Sequence, residues 1–177
     1  MYTCSFTGHR PEYFEFGYNE DDTRCAAVKV ALRRWIRSAC DMGCRRFMTG
    51  CALGVDMWAA EAVIEISRDI KDIELVAVIP FKGHDSKWSD EQKIRYERML
   101  SCCGKVLTLT DRYSKGAFYA RDRYMVDNAD MLIAVYNREK GHSGTGYTVR
   151  YAIGNDKPII IIDPETLEET KINIELG

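Results

Sequence analysis

The segment Gly50-Cys51-Ala52-Leu53-Gly54-Val55-Asp56 has the composition of a loop that holds an anion. Gly50 directly follows a predicted strand, and Gly54 directly precedes a predicted helix. Backbone N–H groups and the helix dipole favour phosphate at such a junction, and glycines let a ligand approach the backbone closely. Asp56 would cap the helix or accept a hydrogen bond from a ribose hydroxyl. A tight turn that binds nothing is the alternative interpretation.

A second segment of the same kind, Ser143-Gly144-Thr145-Gly146, also precedes a predicted helix. If both segments lie at the same edge of a sheet, they fit a ligand with two phosphates, or with one phosphate and a sugar. The alternative is a flexible loop in which Ser143 or Thr145 only caps the helix.

Arg10 and Arg121 are the cationic candidates for such a ligand. Arg10 belongs to Thr7-Gly8-His9-Arg10-Pro11, where its guanidinium could bind phosphate oxygens through two N–H groups. His9 could donate a hydrogen bond to the ligand or titrate near neutrality. Arg121 and Arg123 open a predicted helix. The alternatives are an ordinary surface His-Arg pair and a solvated helix face with acidic partners.

The elements that must position these residues follow from the apolar pattern, in which short β-branched runs alternate with longer amphipathic segments. The predicted strands are 3–7, 46–49, 73–80, 105–109, 131–136 and 157–163. The predicted helices are 23–42, 55–67, 90–102, 119–128 and 145–153. Inward candidates of the first helix include Ala26, Val30, Ile36 and Ala39, and the polar segment after Pro164 is expected to be peripheral. This alternation predicts an α/β fold with a mostly parallel sheet flanked by helices on both faces, in a single domain spanning 1–177.

The candidate residues follow the predicted strands at the point where each strand ends. The first strand ends before Gly8, the second before Gly50, and the fifth continues through residues 137–142 to Ser143. Ligands of open parallel sheets bind beyond the carboxyl ends of the strands, near the topological switch point. We therefore expect one site at this edge of the sheet.

Composition and charge exclude several classes of protein. The chain has 177 residues with 46% hydrophobic and 29% charged, as in globular proteins, and no apolar run approaches the ~20 residues of a membrane span. Its 25 Lys+Arg and 27 Asp+Glu give a net charge of -2, which makes duplex nucleic acid and anionic membranes poor partners. No signal peptide is evident at the start of the chain, and seven irregularly spaced cysteines indicate free thiols in the cytoplasm. No zinc-type spacing occurs, so no metal is expected.

Four residues between 88 and 96 recur at helical spacing: Trp88, Gln92, Arg95 and Tyr96. They could form a stacking surface for a base. Core packing with one polar edge is the alternative that this spacing favours.

The ordered motifs resemble the SLOG superfamily, and within it the YpsA-like family of bacterial proteins. The superfamily also contains the cytokinin-activating LOG enzymes and the DNA-processing protein DprA. The matching segments, which fall between Cys4 and about Asp163, are residues 7–11, 50–61, 121–127, 132–136 and 144–145. The resemblance implies a Rossmann-like, doubly wound fold. It also implies a bound nucleotide, a nucleotide-derived molecule of the ADP-ribose or NAD type, or phosphate, with no other cofactor.

The resemblance also assigns a ligand site but no catalytic residue. Carried over to this chain, that site consists of Gly8, His9, Arg10, Gly50, Gly54, Asp56, Arg121, Gly144 and Thr145. Ser143 stands where the family usually has glycine, and it could still donate a hydrogen bond to phosphate. Asp122 stands where the family usually has asparagine, and it brings a negative charge toward the expected phosphate.

Three functions are compatible with these motifs. The first is a sensor that binds a small nucleotide-type molecule and passes its occupancy to a protein effector or to a second copy of the chain. The second is a LOG-like phosphoribohydrolase. LOG enzymes carry a glutamate in the helix after their Gly-Thr, but residues 146–152 hold no carboxylate, so Asp56, Glu61 or Asp127 would have to replace it. The third is a DprA-like binder of single-stranded DNA, which needs a positive groove with aromatic side chains. The missing glutamate and the net charge favour the sensor.

Overall fold

The computed structural model describes residues 2–137 and 143–174, and in them strands alternate with helices as predicted. The strands are β1 (Tyr2–Gly8), β2 (Cys44–Thr49), β3 (Glu74–Phe81), β4 (Lys105–Thr110), β5 (Met131–Val135), β6 (Ile159–Ile162) and β7 (Glu169–Ile172). The helices are α1 (Thr23–Asp41), α2 (Val55–Ile66), α3 (Asp90–Ser101), α4 (Ala117–Asp127) and α5 (Gly144–Gly154). Most of the stretch that was expected to link the fifth strand to Ser143, residues 138–142, lies outside the described residues.

Within the described residues, the strands form one sheet in the order β4-β3-β2-β1-β5-β6-β7. Strands β1 to β6 pair in parallel, and β7 pairs antiparallel with β6. The chain runs outward from β1 through β2, β3 and β4, and then returns to place β5 on the other side of β1. The protein thus has the expected α/β, Rossmann-like fold, and its topological switch point lies between β1 and β5.

Both faces of the central strands are buried under helices. In β5, Ile133 and Val135 belong to the core that α1 and α2 share, while Leu132 and Ala134 belong to the core beside α5. The isoleucines of β6 divide between the two cores in the same alternating way. This burial on both faces explains why the two strands are continuous apolar runs rather than alternating ones.

Local sequence signals set several of the helix boundaries. Asp22 caps α1, since its side chain accepts a hydrogen bond from the Arg24 backbone N–H at 2.8 Å. Ser89 and Gln92 form a reciprocal capping box at the start of α3. Gly43 follows α1 with a φ of 96°, a conformation that favours glycine.

One expectation from the sequence, the inward face of α1, is wrong in part. Ile36 and Ala39 are buried in α1, but Ala26 and Val30 are exposed, Val30 by 66%. The buried stripe of that helix begins instead with Cys25 and Val28. Apolar residues occur on both sides of α1, so their spacing alone did not identify the inward side. The segment after Pro164 is peripheral, as expected, and it also adds β7 as an edge strand.

In the part of the chain that the structure describes, no helix combines the length and the apolar character needed to cross a lipid bilayer.

Candidate functional site

A cavity of about 560 Å³ opens at the carboxyl edge of the sheet, beside the switch point between β1 and β5. We call it the switch-point cavity. Its walls come from the end of β1, the loop before α2, the first turns of α4 and the start of α5. Its volume is in the usual range for small-molecule sites, and its place in the fold is the usual one for ligands of open α/β sheets.

The switch-point cavity brings together most of the residues that the sequence singled out. Those that line it are Gly8, His9, Arg10, Asp56, Arg121, Ser143, Gly144 and Thr145. The two glycine segments, almost 90 residues apart in the sequence, therefore contribute to one cavity. The two glycines of the first segment are the predicted site residues outside its lining.

Gly50 and Gly54 allow other parts of the protein to pack closely behind the cavity. A Cβ on Gly50 would collide with the Arg121 guanidinium and would lie 2.6 Å from the Asp56 carboxylate. A Cβ on Gly54 would lie 2.8 Å from the His9 carbonyl oxygen. Gly54 also has a φ of 86°, in the region that favours glycine. The structure thus gives both glycines a packing role, and their contact with a ligand stays a prediction.

A buried ionic network connects the first glycine segment to α4. Arg121, only 5% exposed, donates through Nε to the Asp122 carboxylate at 2.7 Å and through Nη1 to the Gly50 carbonyl. The same Nη1 lies 3.8 Å from Asp56 Oδ2. Burial opposes the charge on Arg121, but Asp122 and Asp56 outweigh it and raise the pKa of the guanidinium above its ordinary value. Arg121 therefore remains a cation between two carboxyl groups.

The network continues from Asp122 to the second glycine segment. The Thr148 hydroxyl lies 3.1 Å from the second Asp122 oxygen and 3.0 Å from the Gly144 carbonyl oxygen, so it can donate to either. The negative charge of Asp122 is therefore partly compensated, since Arg121 and Thr148 both contact its carboxylate. Through this chain of contacts, the two glycine segments are held in a fixed relation to each other.

Asp56 is the most perturbed carboxyl group of the cavity. Its Oδ2 accepts a hydrogen bond from the Ala52 backbone N–H at 3.3 Å. One amide of the first segment is therefore already bound by a carboxyl group of the same segment. Burial raises the pKa of Asp56 to about 6, although Arg121 acts in the opposite direction. A carboxyl group with such a pKa can accept or donate a proton near neutral pH.

His9 connects the ends of β1 and β5. Its Nε2 accepts a hydrogen bond from the Asn137 backbone N–H at 3.3 Å, which leaves the proton of a neutral ring on Nδ1. The ring is 1% exposed, stacks on Tyr13 with centroids 5.2 Å apart, and also contacts Tyr136 at 5.7 Å. His9 thus links the segments that follow β1 and β5, and it also lines the cavity.

The start of α5 faces the cavity. Ser143 caps this helix, since its Oγ accepts a hydrogen bond from the Gly146 backbone N–H at 3.1 Å. Gly144 and Thr145 follow at the first helical positions, and both line the cavity. The first turn of a helix presents N–H groups and the positive end of its dipole, so this wall of the cavity favours an anion.

The structure adds lining residues that the sequence did not identify as ligand contacts: Thr7, Glu12, Tyr13, Ala52, Phe118, Tyr119 and Asp122. At the rim, the Arg10 guanidinium lies over the Phe118 ring, 4.8 Å from its centroid. Phe118 precedes Arg121 by three residues, so helical spacing could have placed it on the same face. No comparable signal marks Glu12 or Tyr13, because they belong to a single 3-10 helical turn, Pro11–Tyr13, after β1.

The charges of the switch-point cavity are mixed. Arg10 and Arg121 are accompanied by three acidic side chains among the lining residues: Glu12, Asp56 and Asp122. Since Arg121 is already engaged by Asp122, an anionic ligand would depend mainly on Arg10 and on the start of α5. The carboxylates suit hydrogen-bond donors such as sugar hydroxyls.

The residues spaced between Trp88 and Tyr96 lie outside this cavity. Trp88 and Tyr96 pack edge to face at 5.4 Å, and both contact His84. Arg95 forms ion pairs of 2.6 Å with both Glu20 and Glu61. This arrangement matches core packing with a polar edge. In residues 2–137 and 143–174, no group of three or more His, Cys, Asp and Glu side chains is arranged to hold a metal ion.

A Rossmann-like sheet with a ligand-sized cavity at its switch point places the chain in a broad class of α/β proteins. Sequence comparison narrows this class, since residues 4–167 match the YspA SLOG family, and the chain belongs to that family. Similar relatives include UPF0398 proteins of Bacillus thuringiensis (strain Al Hakam) and Bacillus cereus (strain Q1). Each is 32% identical over 143 residues, which cover 79% of this chain and 77% of the relative.

Proposed function

We propose that the protein binds a nucleotide or nucleotide-derived small molecule in the switch-point cavity and acts as a sensor of that molecule. The observation that carries this proposal is the meeting of both ligand-facing segments in one cavity of about 560 Å³. A mononucleotide or a larger derivative such as ADP-ribose would fill much of that volume.

The chemistry of the walls supports a ligand with a phosphate and a ribose. The phosphate would bind at Gly144 and Thr145, at the start of α5, with Arg10 as its cationic partner. The ribose hydroxyls would donate to the carboxylates of Asp56 or Asp122. Such a division uses both the acidic and the basic groups of the cavity, whereas a ligand with phosphates alone would leave the carboxylates opposed to it.

The aromatic side chains of the rim support a base as the third part of the ligand. Tyr13 is 45% exposed beside His9, and Phe118 lies beneath Arg10. Planar rings and a guanidinium are the groups that proteins use to stack on bases. Because Arg121 joins both segments through one buried network, a ligand that orders one segment would also order the other. That coupling is how occupancy would reach a partner protein or a second copy of the chain.

Binding of AMP, ADP-ribose or NAD should raise the melting temperature of the protein, because a ligand of the folded state stabilises that state. Replacement of Arg10 by alanine should weaken the strongest of these interactions by about 10- to 100-fold, the scale of a lost charged hydrogen bond. Isothermal titration calorimetry measures the change.

Arg98→Ala is the matched control, since Arg98 is exposed at the end of α3 and does not line the switch-point cavity. This variant should bind as the wild type does. If no nucleotide changes the melting temperature of the wild type, the proposed function is wrong. If Arg10→Ala binds normally, Arg10 is not part of the site.

Hydrolysis of an N-glycosidic bond is a second candidate function, and the position of Asp56 is the observation that favours it. Of the three carboxylates that could replace the missing glutamate, Asp56 lines the cavity. Glu61 instead binds Arg95 at 2.6 Å, and Asp127 accepts a hydrogen bond from the Tyr151 hydroxyl at 2.9 Å. With its pKa raised to about 6 by burial, Asp56 could protonate a leaving base or activate water.

We expect the protein to leave AMP intact, because the helix segment 146–152 lacks the glutamate that LOG enzymes carry after their Gly-Thr. Incubation of AMP with the protein near pH 6 and near pH 7.5, followed by chromatography, tests this expectation. Steady release of adenine that disappears in Asp56→Asn would establish hydrolysis and overturn a function in binding alone. Release that persists in Asp56→Asn would point to a contaminating enzyme.

A further inference from the structure

A second cavity of about 400 Å³ shares the side chain of Tyr119 with the switch-point cavity. We call it the α4 cavity. It is bounded by the ends of β3 and β4, by the loop before α4, by the outer face of that helix and by Tyr147 of α5. Tyr119 lines both cavities, so a sufficiently long ligand could pass from one to the other along this side chain.

The α4 cavity differs from its neighbour in charge. Lys115 and Arg123 line it, and among its described lining residues none is acidic. Asp127, one helical turn after Arg123, accepts a hydrogen bond from the Tyr151 hydroxyl at 2.9 Å. Arg123 donates through Nη1 to the Tyr147 hydroxyl at 3.0 Å, which leaves its other guanidinium N–H groups available to a ligand. The cavity is therefore positive where the switch-point cavity is mixed.

Aromatic rings form the boundary between the two cavities. Tyr119 and Tyr147 pack edge to face with centroids 4.7 Å apart, and the Arg123 contact fixes the hydroxyl of Tyr147. Tyr119 is 45% exposed, so part of its ring remains accessible to a ligand. Aromatic rings beside cationic side chains are suited to a base or a sugar that carries a phosphate.

We propose that the α4 cavity is the binding site for a second phosphate-bearing half of the ligand, so that the preferred ligand is a dinucleotide rather than a mononucleotide. This inference rests on the proposed function, because the first half of the ligand occupies the switch-point cavity. One half uses the hydroxyl-binding carboxylates and the start of α5. The other half uses Lys115, Arg123 and the ring of Tyr119.

Calorimetric titrations with AMP and with NAD test the inference, since NAD joins two nucleotides through a pyrophosphate. The wild type should bind NAD more tightly than AMP. Arg123→Gln and Lys115→Gln should each weaken the binding of NAD by about five- to tenfold and change the binding of AMP by less than about twofold. Arg98→Gln, on α3 and away from both cavities, is the matched control and should affect neither ligand.

The outcomes separate the two proposals. If AMP binds but the affinity for NAD does not depend on Lys115 and Arg123, the dinucleotide inference is wrong and the proposed function stands. If neither AMP nor NAD binds the wild type, the dinucleotide inference is wrong, and the proposed function is wrong as well if ADP-ribose also fails to bind. A short oligothymidylate that binds more tightly than NAD and depends on Arg123 would replace the dinucleotide with a nucleic-acid strand. Lys115 and Arg123 are exposed, so unchanged melting temperatures will show that their variants fold.

Discussion

Replacement of Arg121 by leucine should lower the free energy of unfolding by about 3–5 kcal/mol at pH 7, the cost of removing one partner from a buried ion pair. The variant would leave the carboxylates of Asp56 and Asp122 without their shared cation and the Gly50 carbonyl without its donor. Denaturant unfolding followed by circular dichroism measures the loss. At pH 4 the loss should be smaller, since a protonated Asp56 no longer needs a counter-charge.

Arg123→Leu is the matched control for this prediction. Arg123 lies two residues further along α4 and is exposed, so its replacement should leave the free energy of unfolding nearly unchanged. In the double variant Asp56→Asn, Arg121→Leu, the total loss should be smaller than the sum of the single losses, because the two side chains interact directly. Equal stability of Arg121→Leu and Arg123→Leu, or strict additivity in the double variant, would show that the network does not stabilise the fold.

The stability of the wild type relative to Asp56→Asn should fall by about 3 kcal/mol as the pH rises from about 4 to above 6. Burial raises the pKa of Asp56 from an ordinary value of 3.8 to about 6. Below 3.8 the carboxyl group is protonated in both the folded and the unfolded chain, and its contribution to stability is fully present. Between the two values the folded chain binds the proton more tightly, so stability declines as the proton is lost, and the decline ends above the folded pKa.

Denaturation curves of both proteins at intervals of half a pH unit would reveal this difference. Asp56→Asn keeps an oxygen that can accept the hydrogen bond from the Ala52 N–H, so the comparison isolates the charge. The exposed residue Asp111 provides the control, and Asp111→Asn should follow the wild-type curve. A constant difference between the wild type and Asp56→Asn across this range, or a difference that grows in favour of the wild type with rising pH, would contradict the raised pKa of Asp56.

Much of the fold could be predicted because the signals for it are local. The continuous apolar runs of β5 and β6 reflect burial on both faces, and the helices between strands require parallel connections. Edge elements carry weaker signals. The polar segment that forms β7 contacts the sheet along one edge only, so neither its composition nor its periodicity distinguished it from a loop.

The location of the candidate site could be predicted from the sequence, but the contacts within it could not. Gly8, Ser143 and Gly144 could be assigned to one edge because parallel strands end together. The packing roles of Gly50 and Gly54 could not be predicted, because the groups that pack against them, Arg121 and the His9 carbonyl, come from distant parts of the sequence. Tyr13 was missed for a similar reason, since its stacking on His9 is a tertiary contact that the sequence does not show.

The sequence by itself determined the order of strands and helices, the exits of the strands and the family, because each depends on residue types within a few positions of one another. Only the tertiary structure decided that Asp56 turns toward the amide of its own loop and that Arg121 joins Asp56 to Asp122. It also decided that a positive cavity adjoins the mixed one across Tyr119. Charge balance and burial depend on neighbours contributed by separate strands and helices, and the spacing of residues along the chain carries no information about them.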